Sequence, residues 1–218
     1  MNIGSRLEEL AALAWLAALV ALGFVVFNAA RRRRFCIGIP VIIGAVVAAL
    51  LLTTAASGLV FINPTERGVV ISALAPGGYR PDALEPGLHW ITPFAERVEV
   101  YDISPRTYTM ASNAQGNDSV QARTKDGQVV FIDSSVIYAV DPQKVVNLNI
   151  RWQTRYEDGV VRPTTRRSIR DAASQYGMEE VVSSKRTELE KAISDQVAAS
   201  LAANDLVLVQ FVLRDIHR

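Results

Sequence analysis

Reactive side chains are scarce in this 218-residue chain. It has one cysteine, Cys36, and two histidines, His89 and His217. A single cysteine excludes an internal disulfide and any multi-cysteine zinc site. Two histidines leave little material for a histidine-rich metal centre. No H-E-x-x-H, G-x-S-x-G, G-x-G-x-x-G or G-x-x-x-x-G-K spacing occurs. Gly77-Gly78 reads as a turn. His89 lies within a strand-like Leu-His-Trp-Ile run and reads as a packed or locally hydrogen-bonded residue, and His217 stands next to Arg218. Composition alone does not exclude a Ser-His-Asp arrangement, but no catalytic, cofactor-binding or metal-ligating residue is assigned. The expectation is a protein that is not an enzyme.

The charged groups with an informative spacing are arginines. Arg162, Arg166 and Arg170 stand at i, i+4 and i+8, so they share one face of a helix. That face is either solvated or a stripe meeting acidic residues such as Glu179, Glu180, Glu188 or Glu190 of a neighbouring subunit. A second set, Arg31, Arg32, Arg33 and Arg34, is consecutive and suits contact with anionic lipid headgroups. Nucleic acid is a poor partner. The chain has 23 basic and 22 acidic residues, so it lacks the basic excess that a phosphate backbone calls for.

The elements that carry these groups differ sharply along the chain. From Leu10 to Ile62 the only charged residues are Arg31 to Arg34. Asn63 to Arg218 holds 18 basic and 20 acidic residues, a net charge of −2. Leu10 to Ala30 is uncharged and reaches about 30 Å as a helix, the thickness of a bilayer hydrocarbon core. A second apolar run extends from Ile37 to Ile62. Glu8 and Glu9 stand where a signal peptide would carry positive charge, so the first run reads as a membrane span. The expected layout is a tail over 1–9, two membrane helices over 10–62 joined by a basic turn at 31–34, and a soluble domain over 63–218. The positive-inside rule puts the arginine turn in the cytoplasm. If both runs cross, the domain lies on the outer face; if Gly38 and Pro40 help shape a non-crossing hairpin, it lies in the cytoplasm. Full crossing is the favoured reading. Cys36 is either a free buried thiol or a palmitoylation site.

The soluble part reads as α+β. Strand signals cover Gly68 to Leu74, Leu88 to Ile91, Arg97 to Ile103 and Thr107 to Met110. Asp126-Gly127 joins two further strands, Val120 to Thr124 and Gln128 to Val140, in a hairpin. The second arm is apolar on both faces and suits a central strand. Asp141-Pro142 suggests a helix start with Asp141 as N-cap. Tyr156 to Tyr176 is helical in pattern, with Pro163 marking a kink or the true start. Lys185 to Asn204 is the clearest helix, with Leu189, Ile193, Val197 and Leu201 in one stripe. Leu206 to Ile216 closes the chain as a strand.

The order of these signals resembles the SPFH family of stomatins, prohibitins, flotillins and bacterial membrane-protease regulators. Asn63-Pro64-Thr65-Glu66-Arg67-Gly68-Val69-Val70 is similar to the family's opening segment after its anchor. Glu85-Pro86-Gly87-Leu88-His89-Trp90-Ile91-Thr92-Pro93-Phe94 resembles its P-G-L-H-aromatic-x-x-P-F signature. Val98 to Arg106, the Thr124–Pro142 hairpin region, Tyr156 to Arg170 and Val212 to Ile216 follow in the family's order.

The resemblance implies an α+β architecture: N-terminal transmembrane helices followed by an SPFH-type domain, an antiparallel sheet packed with helices. It implies a membrane-anchored scaffold that oligomerises into a ring or cage, organises a membrane microdomain and regulates a membrane AAA protease. A monomeric membrane-tethered binding or sensor domain is the alternative. Implied partners are further copies or a related SPFH subunit, membrane lipids and a membrane-bound AAA protease, with no cofactor and no nucleic acid. The expected location is a bacterial plasma or inner membrane, multi-pass, with the domain on the outer face. Relatives continue into a coiled-coil helix, which the sequence through Arg218 does not include. Arg162, Arg166 and Arg170 are then expected at a subunit interface.

Overall fold

A computed structural model of the chain describes residues 12, 15, 16, 20, 38–112 and 118–217. It divides into two compact units. The first comprises Met1–Pro64, Val70–Arg80 and Leu84–Val100; the second comprises Thr65–Val69, Pro81–Ala83 and Tyr101–Arg218.

The first unit contains helix α1 (Gly38–Ser57) and strand β1 (Leu59–Ile62). The helix has 20 residues and no charged one. The hydroxyls of Thr53, Thr54 and Ser57 donate to carbonyls of the same helix, at 2.7–3.0 Å. Counted over the described residues alone, no helix is long and apolar enough to cross a membrane. Most of the first apolar run and the whole arginine turn lie outside the described residues.

The second apolar run does not stay helical to Ile62. Gly58 interrupts it, because a Cβ there would meet Trp90 Nε1 at 2.5 Å and the Ile91 carbonyl at 2.6 Å. Leu59–Ile62 instead pairs antiparallel with β3 (Gly87–Trp90). Strand β2 (Glu66–Ser72) pairs with β4 (Glu96–Asp102). The core here is small: Ile62, Val70, Leu84 and Ile91 are buried, with Val60 and Val98 against them.

The second unit is an antiparallel sheet packed with helices, as expected. Its strands are β5 (Arg106–Met110), β6 (Val120–Arg123), β7 (Val129–Val140) and β8 (Leu206–His217). β7 is central: it pairs with β5 and β6 along one side and with β8 along the other. Its even-numbered residues from Val130 to Val140 are all buried. The Asp126-Gly127 turn forms as the sequence indicates, with Gly127 at φ 78.

Helix α2 (Val145–Trp152) starts later than expected. Asp141 does not cap it; its carboxylate accepts from the Gln143 amide at 3.0 Å, and the Lys144 amide donates to the Asp141 carbonyl. A short-range turn therefore uses up the Asp-Pro pair before the helix begins. Pro163 marks a true start: a π-helical turn at Glu157–Val161 gives way to α3 (Arg162–Ala173), with Pro163 in its first turn. In α4 (Arg186–Ala202), Leu189, Ile193, Val197 and Leu201 are all fully buried. Each such side chain contributes about 2 kcal/mol on burial. α4 packs on α3 and β8. Arg186 donates to the Leu213 and Arg214 carbonyls, and Glu190 accepts from the Leu213 amide, where β8 carries an irregularity against β7.

Candidate functional site

Two sites emerge, one in each unit, and each is organised by a carboxylate. In the second unit it is Asp118, just before β6. Arg162 Nη2 donates to Asp118 Oδ1 at 2.6 Å, and Arg166 Nη2 donates to the same oxygen and to the Asp118 carbonyl. Tyr108, on β5, donates its hydroxyl to Asp118 Oδ2 at 2.8 Å. Burial opposes ionisation of Asp118, but the Tyr108 and Arg162 hydrogen bonds and the Arg166 charge hold its carboxyl below the usual carboxylate range. Burial and the bond to Asp118 push the Tyr108 phenol up to about 12. A second carboxylate, Asp133 on β7, accepts from the Ser112 amide and hydroxyl and from the Ser119 hydroxyl.

So the helical spacing of Arg162 and Arg166 does place them together, on a carboxylate of their own chain. Arg170, one turn on, has no acid at i+3 or i+4. It lines a hollow with Arg123. Arg31, Arg32, Arg33 and Arg34 lie outside the described residues.

In the first unit the organising carboxylate is Glu96. Arg80 grips it bidentately, Nε to Oε1 at 2.9 Å and Nη2 to Oε2 at 2.5 Å, and the Thr92 amide donates to Oε2 at 2.8 Å. The Thr92 amide and the Arg80 guanidinium lower the Glu96 pKa from the ordinary 4.5 to about 2. This network fixes the turn Thr92–Ala95, whose amides at Ala95 and Glu96 donate back to the Thr92 carbonyl. The turn holds Phe94 at φ 68 and 98 % exposed. A phenylalanine with positive φ, turned wholly to the outside, is a strained and apolar presentation.

Phe94 has apolar company within the same unit. Phe61 pairs with Leu88 across the β1–β3 ladder, and Leu59 with Trp90. Alternation along the strands puts these four side chains on one face. Phe61, Leu88 and Trp90 are each about half exposed. The other face of β1 supplies Val60 and Ile62 to the small core.

Both histidines have local partners. His89 Nε2 donates to the Glu85 carbonyl at 2.7 Å. His217 stacks on Phe131 and stands 3.8 Å from Asp215. Among the described residues no group of three or more potential metal ligands forms.

Residues 60–218 match the SPFH domain / Band 7 family. The chain belongs to that family. The match begins within β1, so it takes in both carboxylate networks and all of the exposed apolar ladder but Leu59. Among similar curated proteins are "Modulator of FtsH protease HflK" of Escherichia coli strain K12 and "Protein HflK" of Escherichia coli O157:H7. Each is 28 % identical over 141 residues, 64 % of this chain and 30 % of the relative. The chain therefore spans less than a third of the length of those relatives.

The SPFH signature Glu85 to Phe94 acquires a physical meaning here. Its His89 fixes a backbone carbonyl, its Trp90 and Leu88 form the exposed ladder, and its Pro93-Phe94 makes the turn that Glu96 holds. Sequence reasoning missed Asp118, Glu96 and Phe94. The only local sign of the last was an aromatic beside a proline in a turn.

Proposed function

We propose that this SPFH protein is a membrane-attached, non-catalytic scaffold that self-associates and modulates a membrane-bound AAA protease. The observation that carries the membrane part is the apolar ladder and Phe94 turn of the first unit, which shares that unit with an uncharged 20-residue helix. The wholly exposed Phe94 ring suits burial in hydrocarbon, and the Trp90 indole, apolar with one N–H, suits the boundary with the headgroups. The uncharged composition of 10–30 and of 37–62 supports the anchor, and the Arg31 to Arg34 run between them suits anionic headgroups. The protease part rests on the likeness to a modulator of FtsH protease.

Attachment confines copies to two dimensions and raises their effective concentration, so modest side-to-side contacts suffice for a closed ring or cage. Because Arg162 and Arg166 already hold Asp118, a subunit contact through this face would use the arginines' remaining donors and Arg170. The test is the particle size of the full chain after mild detergent extraction, together with co-purification of a membrane AAA protease. A many-subunit species that carries the protease is expected. A species of one or two subunits would instead favour a tethered binding or sensor domain.

A further inference from the structure

The described arginines have been sorted by the fold, and the sorting leaves a residue. Arg80, Arg97, Arg106, Arg151, Arg162, Arg166 and Arg167 each contact a carboxylate. Arg67, Arg186 and Arg214 hydrogen-bond to carbonyls or a hydroxyl. Among the described residues, Arg123, Arg155 and Arg170 have neither kind of partner. Two of these three line one hollow of about 320 Å³, with Gln121, Ala122, Val129 and Ser174.

The local reasons are visible. Arg167 finds Asp171 at i+4, whereas Arg170 finds Ser174. On β6, Arg123 faces Val129 across the ladder, an uncharged partner. No carboxylate lines the hollow. Two like charges thus share a concave surface with no carboxylate among its lining residues, and the Gln121 amide stands beside them as a further donor; the Ser174 hydroxyl already donates to the Asp171 carbonyl.

We propose that this hollow binds a phosphate group, with Arg123 and Arg170 as the two clamps. Guanidinium forks match the tetrahedral oxygens of phosphate and hold them with paired hydrogen bonds. A phosphate group presents several anionic oxygens to the two guanidinium groups, in a geometry that a planar carboxylate does not match. The chemistry is shared by a free phosphate compound and by an anionic lipid headgroup. The site does not depend on self-association.

The test uses the full chain in a neutral detergent. Pyrophosphate is titrated in one arm, followed by calorimetry and phosphorus NMR. In the other, the micelles are doped with short-chain phosphatidylglycerol or, as a zwitterionic comparison, phosphatidylcholine. Saturable binding is expected in at least one arm, and R123Q/R170Q should weaken it tenfold or more. R155Q, which removes the third unpartnered arginine outside the hollow, should leave it unchanged. R123K/R170K, which keeps the charge and loses the forks, should fall between. Binding of pyrophosphate alone assigns a soluble phosphate ligand; binding of phosphatidylglycerol and not phosphatidylcholine assigns a headgroup. No saturable binding in either arm, or an equal loss in R155Q, overturns the proposal. All three residues are exposed, and circular dichroism checks that the variants fold.

Discussion

The two units dispose of their aromatic residues in opposite ways. In the second, Tyr101, Tyr138, Tyr156 and Phe211 are buried, and its exposed large apolar residues are aliphatic. In the first, Phe61, Trp90 and Phe94 are exposed, and four buried residues make the core cluster. In the second unit the apolar stripe of α4 faces inward, and acidic groups hold Arg106, Arg151, Arg162, Arg166 and Arg167. Among the described residues of the first, Phe61, Leu88, Trp90 and Phe94 lie outside a four-residue core cluster. That unit's described polar support is the network of Arg80 and the Thr92 amide around Glu96.

The contrast is tested most severely in the second unit. Ile193 is fully buried in the α4 stripe, so Ile193→Ala should cost about 3 kcal/mol through lost burial and the cavity left behind. Urea unfolding followed by circular dichroism in detergent checks this. A loss below about 1 kcal/mol would mean that the stripe does not hold the unit together.

In the first unit the comparable lever is polar. Glu96→Gln keeps the shape but removes the charge that Arg80 and Thr92 serve, and should cost about 2 kcal/mol. The pH dependence follows from linkage. The folded carboxyl titrates at about 2 and the ordinary value is 4.5. Between those values the unfolded chain takes up a proton that the folded chain does not, so acid favours unfolding. This contribution is complete above pH 4.5 and is lost as pH falls through about 2. The wild type should therefore lose thermal stability more steeply than Glu96→Gln below pH 4.5. Parallel profiles would show that Glu96 is not the support of the Phe94 turn.

What could be read from the sequence follows the same divide between local and distant causes. The α4 stripe, the Asp126-Gly127 hairpin, the central β7 strand and the Pro163 start were all legible, because each is a period or a turn chemistry written within about ten residues. The carboxylate sites were not. Asp118 lies 44 residues from Arg162 and 48 from Arg166, and Glu96 lies 16 from Arg80. No periodicity announces such a meeting; the pairing is created when the elements pack. The Arg162 stripe shows the point from the other side. Helical spacing placed Arg162 and Arg166 on one face and left their partner open, and the fold supplies Asp118. The end of the apolar run was misread for a related reason. Hydropathy does not distinguish a helix from the apolar strand Leu59–Ile62; the close approach of Trp90 to Gly58 does, and that is a tertiary contact.

The smallest energetic effect carries the most information about function. Phe94 buries almost nothing, so Phe94→Cys should change stability by no more than about 0.5 kcal/mol. In a Cys36→Ser background that cysteine is unique and takes an environment-sensitive nitrobenzoxadiazole label. Val182 in the second unit is 48 % exposed and gives a matched aliphatic position for a second labelled variant. In liposomes holding the full chain, the label at 94 should shift to the blue and be quenched by lipids carrying a nitroxide on the acyl chain. The label at 182 should report water and escape quenching. A label at 94 that remains in water would remove the membrane reading of the first unit's apolar face, whatever the helix before it does. Quenching at both positions would erase the distinction between the two units and make the second a membrane surface as well.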